Sequence, residues 1–138
     1  MFSIMVGKTV SLAPTSDSAP FTTKYIPLGA AAVVLGRTHA TDGATHTNGM
    51  FALGGAPSSD LPVSEAHAQL YTHNGQVYID DLGSAHGTWV DGQKIKIPTP
   101  LRTGSIIELG VQRERTAGTP ASITDEYLKP VAAKVTVA

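Results

Sequence analysis

Between Val63 and Gly92 the chain reads VSEAHAQLYTHNGQVYIDDLGSAHGTWVDG, with apolar and polar positions alternating in short runs broken by small polar residues. Alternation with period two over about four to eight residues predicts half-buried strands. The runs are Ala66–Thr72, Gln76–Leu82, Thr88–Val90 and Gln93–Ile97. Asn74-Gly75 separates the first pair and Asp91-Gly92 the second. Both dipeptides supply the positive φ angles that two-residue type I′ hairpins need. The stretch therefore predicts an antiparallel meander of about three or four strands carrying two short polar loops, 62–65 and 83–87. If both loops lie at one end of the sheet, Ser64 and His86 converge on one ligand, because loops held by a rigid sheet are a usual place for recognition.

The same pattern extends outward. Val6–Pro14, Tyr25–Leu28 and Ala32–Gly36 read as strands, with the turn-rich Thr15–Pro20 after the first. The apolar run Val33-Val34-Leu35-Gly36 delivers a cation, Arg37, at its end. Thr38–Leu61 is rich in Gly, Ser, Thr, Asp and Pro, a length that in a compact domain is usually functional or mobile. Its apolar island Met50-Phe51-Ala52-Leu53 predicts a short strand or a segment tucked under the sheet edge. Pro98-Thr99-Pro100 reads as an interruption, Ser105–Leu109 as a strong strand and Val111–Pro120 as an exposed hairpin tip or insertion. Ser122–Leu128 is the one place for a helical turn, and Val131–Val137 closes as a strand. Short strands with almost no helical periodicity indicate an all-β domain, best read as a two-sheet antiparallel sandwich over residues 5–138.

Composition narrows the function classes. A chain of 138 residues, 41% hydrophobic and 15% charged, suits one soluble globular domain. A net charge of −1 gives no general attraction to nucleic acid or to anionic membranes, so any bound anion must be held by a local site. With no cysteine there are no disulfides and no thiolate ligands or nucleophiles, which fits a cytoplasmic or nuclear setting. The first residues lack a signal-peptide pattern and no apolar run is long enough to span a bilayer, so an intracellular location is expected, without direct membrane insertion. The strand-like VAAKVTVA ending predicts a domain that belongs to a larger protein.

Candidate chemistry is sparse. His39, His46, His67, His73 and His86 show no metal-ligand spacing, and the acidic residues form no calcium loop, so neither metal nor cofactor is expected. Ser64, His67 and Asp80 or Asp81 assemble into a hydrolase triad only on paper. Ser64 and His67 lie three apart at a strand entry, where their side chains are predicted to face different directions. The G-x-S-x-G elbow and the G-x-x-x-x-G-K-[ST] phosphate loop are both absent, so no enzyme activity is expected. Trp89, the lone tryptophan, is predicted to belong to the core.

Gly36-Arg37 after an apolar strand, then Ser64-x-x-His67, Gly87-Thr88 with Asp91-Gly92, and Leu101-x-x-Gly104-x-x-Ile107-x-Leu109-Gly110 form an ordered set. That set resembles a forkhead-associated (FHA) domain. The resemblance implies a sandwich of about eleven strands that binds threonine-phosphorylated protein segments on loops at one end, as an adaptor in signalling. It implies phosphate contacts from Arg37 and Ser64. A dianionic phosphate favours a planar guanidinium and a short hydroxyl donor. Thr38, Glu65, Ala85 and His86 would lie along the peptide, while His67 braces the loops and Gly36, Gly87 and Thr88 shape them. The sequence departs from the family pattern where His86 replaces an asparagine, where Glu65 replaces a basic or amide residue, and where Ala85 replaces a hydroxyl. These changes bear on affinity more than on fold. They also leave a second reading open, a phosphate-independent scaffold or dimerisation sandwich with a degenerate site. The long loop after Arg37, the long segment before the last strand, and PFTTKYIPL ahead of VVLGR are similar to the sarcolemmal-membrane-associated-protein type. Its relatives serve in striatin-interacting phosphatase and kinase assemblies.

Overall fold

The computed structural model describes residues 8–38, 44–53, 61–119, 121 and 123–138. Within them lie eleven strands and one 3-10 turn, Asp125–Leu128. The strands are β1 (Lys8–Pro14), β2 (Lys24–Leu28), β3 (Val33–Thr38), β4 (Met50–Ala52), β5 (Ala68–His73), β6 (Gln76–Asp81), β7 (Thr88–Val90), β8 (Gln93–Lys94), β9 (Thr99–Leu101), β10 (Ile106–Leu109) and β11 (Val131–Val137). They form a six-stranded sheet, β2-β1-β11-β10-β7-β8, and a five-stranded sheet, β4-β3-β5-β6-β9. Ladders are antiparallel except β3–β4, which is parallel, so the second sheet is mixed. No helix among the described residues is long and apolar enough to cross a membrane.

The predicted alternation is what fills the interior. Val10 and Leu12 of β1, Ile26 and Leu28 of β2, Val77 and Ile79 of β6, and Ile107 and Leu109 of β10 all point inward and join one buried cluster with Leu35, Phe51 and Leu70. Each such side chain contributes about 1.5–3 kcal/mol on burial. β11 is buried at Ala132 as well as at Val131, Ala133 and Val135. The segment after β1 stays bonded to β11, with Ser18 Oγ accepting the Ala132 N–H at 3.0 Å and Ala132 O accepting the Thr15 N–H at 3.0 Å.

Both hairpins form as two-residue turns. Asn74 and Gly75 have φ of 50° and 78°, Asp91 and Gly92 of 49° and 83°, the pair of left-handed angles that a type I′ turn requires. The predicted meander does not survive intact. β5–β6 belongs to one sheet and β7–β8 to the other, so residues 82–87 cross between layers instead of joining neighbours. The predicted Gln93–Ile97 strand ends at Lys94, and Pro98-Thr99-Pro100, predicted to interrupt, instead contributes β9. Pro100 is tolerated because β9 is an edge, where an outward-facing N–H has no ladder partner to lose. The apolar island after Arg37 forms β4 at the opposite edge of that sheet. The predicted helical turn is the short 3-10 segment, and Ser122 of that prediction lies outside the described residues, as do 39–43 and 54–60 of the long loop. Trp89 departs from prediction too. In β7 it is Thr88 and Val90 that are buried, so the half-buried Trp89 stands on the opposite, outer side of the sheet.

Candidate functional site

β3 ends against the segment 61–66, and the approach is close enough to restrict the sequence. A Cβ on Gly36 would sit 1.8 Å from the Glu65 carbonyl oxygen, so only glycine lets the two backbones meet. The contact aligns three hydrogen bonds. The Arg37 N–H donates to the Ser64 carbonyl (3.2 Å), the His67 N–H to the Leu35 carbonyl (2.8 Å), and Arg37 Nε to the Val63 carbonyl (2.7 Å). The last one fixes the guanidinium over the 63–65 backbone, with the side chain 11% exposed. Its NH1 lies 3.9 Å from Glu65 Oε1, a carboxylate that is itself 71% exposed. Thr38 ends the strand half-buried, its carbonyl accepting the Leu53 N–H at 3.2 Å.

Ser64 is pinned from three sides. Beyond its carbonyl bond to Arg37, its N–H donates to His67 Nδ1 (3.0 Å) and its Oγ accepts the Ala85 N–H (3.1 Å). The hydroxyl thus points to the 82–87 segment and not to the imidazole, so Ser64 and His67 do not form a nucleophile–base pair. Because the hydroxyl oxygen accepts, its proton is available to an anionic oxygen placed beside Arg37.

His67 is fully buried and its tautomer follows from its neighbours. Nδ1 accepts from Ser64, so the proton sits on Nε2, which donates to the Gly87 carbonyl at 2.8 Å. That carbonyl also accepts the Gly110 N–H at 2.8 Å. One imidazole therefore ties together β5, the Ser64 loop and the crossing segment. Burial pushes its pKa below the ordinary histidine value. The Gly87 bond and the Asp81 charge pull it back up, while the nearby His86 opposes protonation. A second proton would place an N–H against the Ser64 N–H. The unfolded chain takes up this proton at higher pH than the folded one, so His67 has its full stabilising effect above about pH 6.5 and loses it as pH falls below that value. The urea midpoint is expected to drop between about pH 6.5 and pH 5.5. A midpoint that rises on acidification through this window would contradict the assignment.

The crossing segment has a second hub that sequence reasoning missed. Asp81 accepts from the N–H groups of Gly83 (3.0 Å) and Ser84 (3.1 Å) and from the hydroxyls of Ser84 (2.5 Å) and Thr88 (2.7 Å). Burial raises the Asp81 pKa, but these hydroxyl and backbone donors outweigh it and hold the carboxyl below its usual range. Ser84 Oγ in turn accepts the Gly87 N–H at 2.9 Å. An Asp followed three residues on by Ser is a local capping pattern, and that spacing is the signal that could have found it. Thr88, buried, and Gly87 shape the segment through these bonds, while Ala85 is exposed and His86 half-buried on it.

The loops at this end of the sandwich thus bring Arg37, Ser64 and Ala85 into one hydrogen-bonded assembly braced by His67 and Asp81, with the Glu65 carboxylate beside Arg37 and His86 next to Ala85 on the crossing segment. A sequence model of the FHA domain matches residues 33–110, more than half of the chain, and spans this assembly. The chain belongs to the FHA domain family. Full-length yeast Pml1p resembles this FHA fold with a TM-score of 0.57, at 17% identity over 96% of this chain and 82% of that one. A structure from a study of phosphothreonine-dependent FHA domain interactions gives a TM-score of 0.50, at 18% identity over 95% of this chain and 94% of the other. At such identities the likeness is one of fold. Among curated proteins, the chloroplastic zeaxanthin epoxidase of Spinacia oleracea is 35% identical over 63 residues, which is 41% of this FHA chain and 9% of the epoxidase. The match thus reaches less than a tenth of that relative's length.

Proposed function

We propose that this chain is a phosphothreonine-dependent protein-interaction module. Arg37 and Ser64 hold the phosphate, and Thr38, Glu65, Ala85 and His86 lie along the peptide. The observation that carries this reading is the posture of Ser64. Its oxygen is occupied by the Ala85 N–H and its backbone is locked to Arg37 and His67, so its O–H is presented beside a guanidinium already anchored on Val63. Two donors of this kind, fixed before the ligand arrives, suit a dianion. Membership of the FHA family, and a structural neighbour studied for phosphothreonine-dependent interactions, support the same ligand class. The proposed unit spans residues 5–138 and works as part of a larger intracellular protein. The narrower likeness to the sarcolemmal-membrane-associated-protein type rests on loop lengths and short matches, and finds no support among the related proteins above.

One observation favours the second reading, a phosphate-independent scaffold. Glu65 already lies 3.9 Å from the Arg37 guanidinium and would oppose an incoming phosphate. At about 6 Å, a single charge opposing a phosphate of about −2 costs roughly 1.4 kcal/mol at water's dielectric. Glu65→Lys is therefore expected to tighten binding of a phosphothreonine peptide by at least about tenfold at low salt. A titration showing no change, on a folded variant, would favour the scaffold.

A further inference from the structure

The inward face of β2 holds an exception. Lys24, Ile26 and Leu28 are its buried positions, and the lysine is only 4% exposed where the pattern calls for an aliphatic side chain. Its ammonium lies 5.0 Å from the centroid of the Phe51 ring and donates to the Thr45 carbonyl. No carboxylate among the described residues is in ion-pair range of it. Burial pulls its pKa below the ordinary lysine value. A buried cation without a counter-ion is expensive, and the ring face and one carbonyl offset only part of that cost.

Lys24 lines a cavity of about 360 Å³ whose walls also include Phe21, Thr22, His46, Met50 and Phe51. Phe21 and Phe51 meet edge to face, with centroids 5.0 Å apart. The cavity lies between β2, an edge of the six-stranded sheet, and β4, an edge of the five-stranded one. It is distinct from the Arg37 loops, although β4 is paired with Gly36–Thr38.

We propose that this cavity binds a carboxylate carried on an apolar stem, with Lys24 as its counter-ion and Phe21, Met50 and Phe51 around the stem. An ammonium has three N–H donors and the Thr45 carbonyl takes one, which leaves two for the two oxygens of a carboxylate. One positive charge matches a monoanion. A dianionic phosphate would demand further cations, and among the described residues lining the cavity Lys24 is the one lysine or arginine. The carboxylate belongs either to an acidic side chain of a partner protein or to a free small molecule. The site does not depend on the phosphopeptide reading.

The test is an NMR titration of the folded chain, following the Lys24 side chain and the Met50 methyl. The probes are 3-phenylpropanoate, a capped Phe-Glu-Phe peptide, and neutral 3-phenylpropanamide. Saturable shifts at both groups are expected with the carboxylates, with affinity at least about tenfold weaker for the amide and for folded Lys24→Met. Tighter binding of the peptide assigns the site to a protein partner, and tighter binding of the free acid to a small molecule. Equal responses to acid and amide, or no saturable shift with either carboxylate up to about 10 mM on wild type alone, would overturn the proposal.

Discussion

Gly36→Ala is expected to destabilise the domain by more than about 4 kcal/mol, among the largest effects of any single substitution. The new Cβ would lie 1.8 Å from the Glu65 carbonyl oxygen and 2.7 Å from its carbon, and both are backbone atoms that no rotamer change can move. Relief requires β3 to part from the 63–66 backbone. That breaks the Arg37–Ser64 and His67–Leu35 backbone bonds and frees Arg37 Nε from Val63. Against a total stability of about 5–15 kcal/mol, such a loss leaves a large unfolded fraction. Gly29→Ala is the control. Nothing lies within 4 Å of its added Cβ, and the change is expected to shift stability by less than about 0.5 kcal/mol. Urea denaturation of both variants measures the difference, and a Gly36→Ala loss below about 1 kcal/mol would show that the 63–66 segment yields freely.

His67→Ala is expected to cost about 4 kcal/mol, from two sources. The imidazole leaves a cavity where the site was fully buried, and it leaves the Ser64 N–H without its acceptor and the Gly87 carbonyl without one of its two donors. The consequence reaches beyond stability. Without this brace the Ser64 loop and the 82–87 segment retain only the Ser64–Ala85 bond among the contacts between them described above, so amide exchange at Ser64 and Ala85 should quicken ahead of exchange in the β1–β11 ladder. Denaturation and hydrogen exchange on the same variant read both effects. A loss under about 1 kcal/mol with unchanged exchange at Ala85 would remove His67 from the central role given to it.

How far the sequence foretold this depended on the kind of signal. Asn74-Gly75 and Asp91-Gly92 were legible because type I′ geometry demands those residues, and the strands flanking Asn74 and Asp91 followed with them. Period-two alternation identifies which side chains face inward but not which sheet a strand joins, and so it predicts a continuing meander at 82–87 where the chain crosses between sheets. β9 was hidden by Pro100, whose harm to a strand vanishes at an edge. In the site, Arg37, Ser64 and His67 were legible as an ordered set of residue types. Their relations were not. That Ser64 presents its oxygen to Ala85, that Nδ1 of His67 is an acceptor, and that Glu65 sits beside Arg37 all depend on how two distant loops meet. In the sequence Asp81 suggests nothing beyond the paper triad, because its four donors arrive only when 83–88 folds back on it. Lys24 passed unnoticed because a lysine at a strand entry looks solvent-facing until β4 closes over it.

The most direct test of the phosphothreonine reading is calorimetric titration of the domain with a degenerate phosphothreonine peptide mixture, its phosphoserine and unphosphorylated counterparts, and Arg37→Ala as the second protein. Binding to the phosphothreonine mixture alone, tighter than roughly 100 µM, is expected, together with its loss in a folded Arg37→Ala variant. Equal binding of unphosphorylated peptide, or full binding by folded Arg37→Ala, would contradict it.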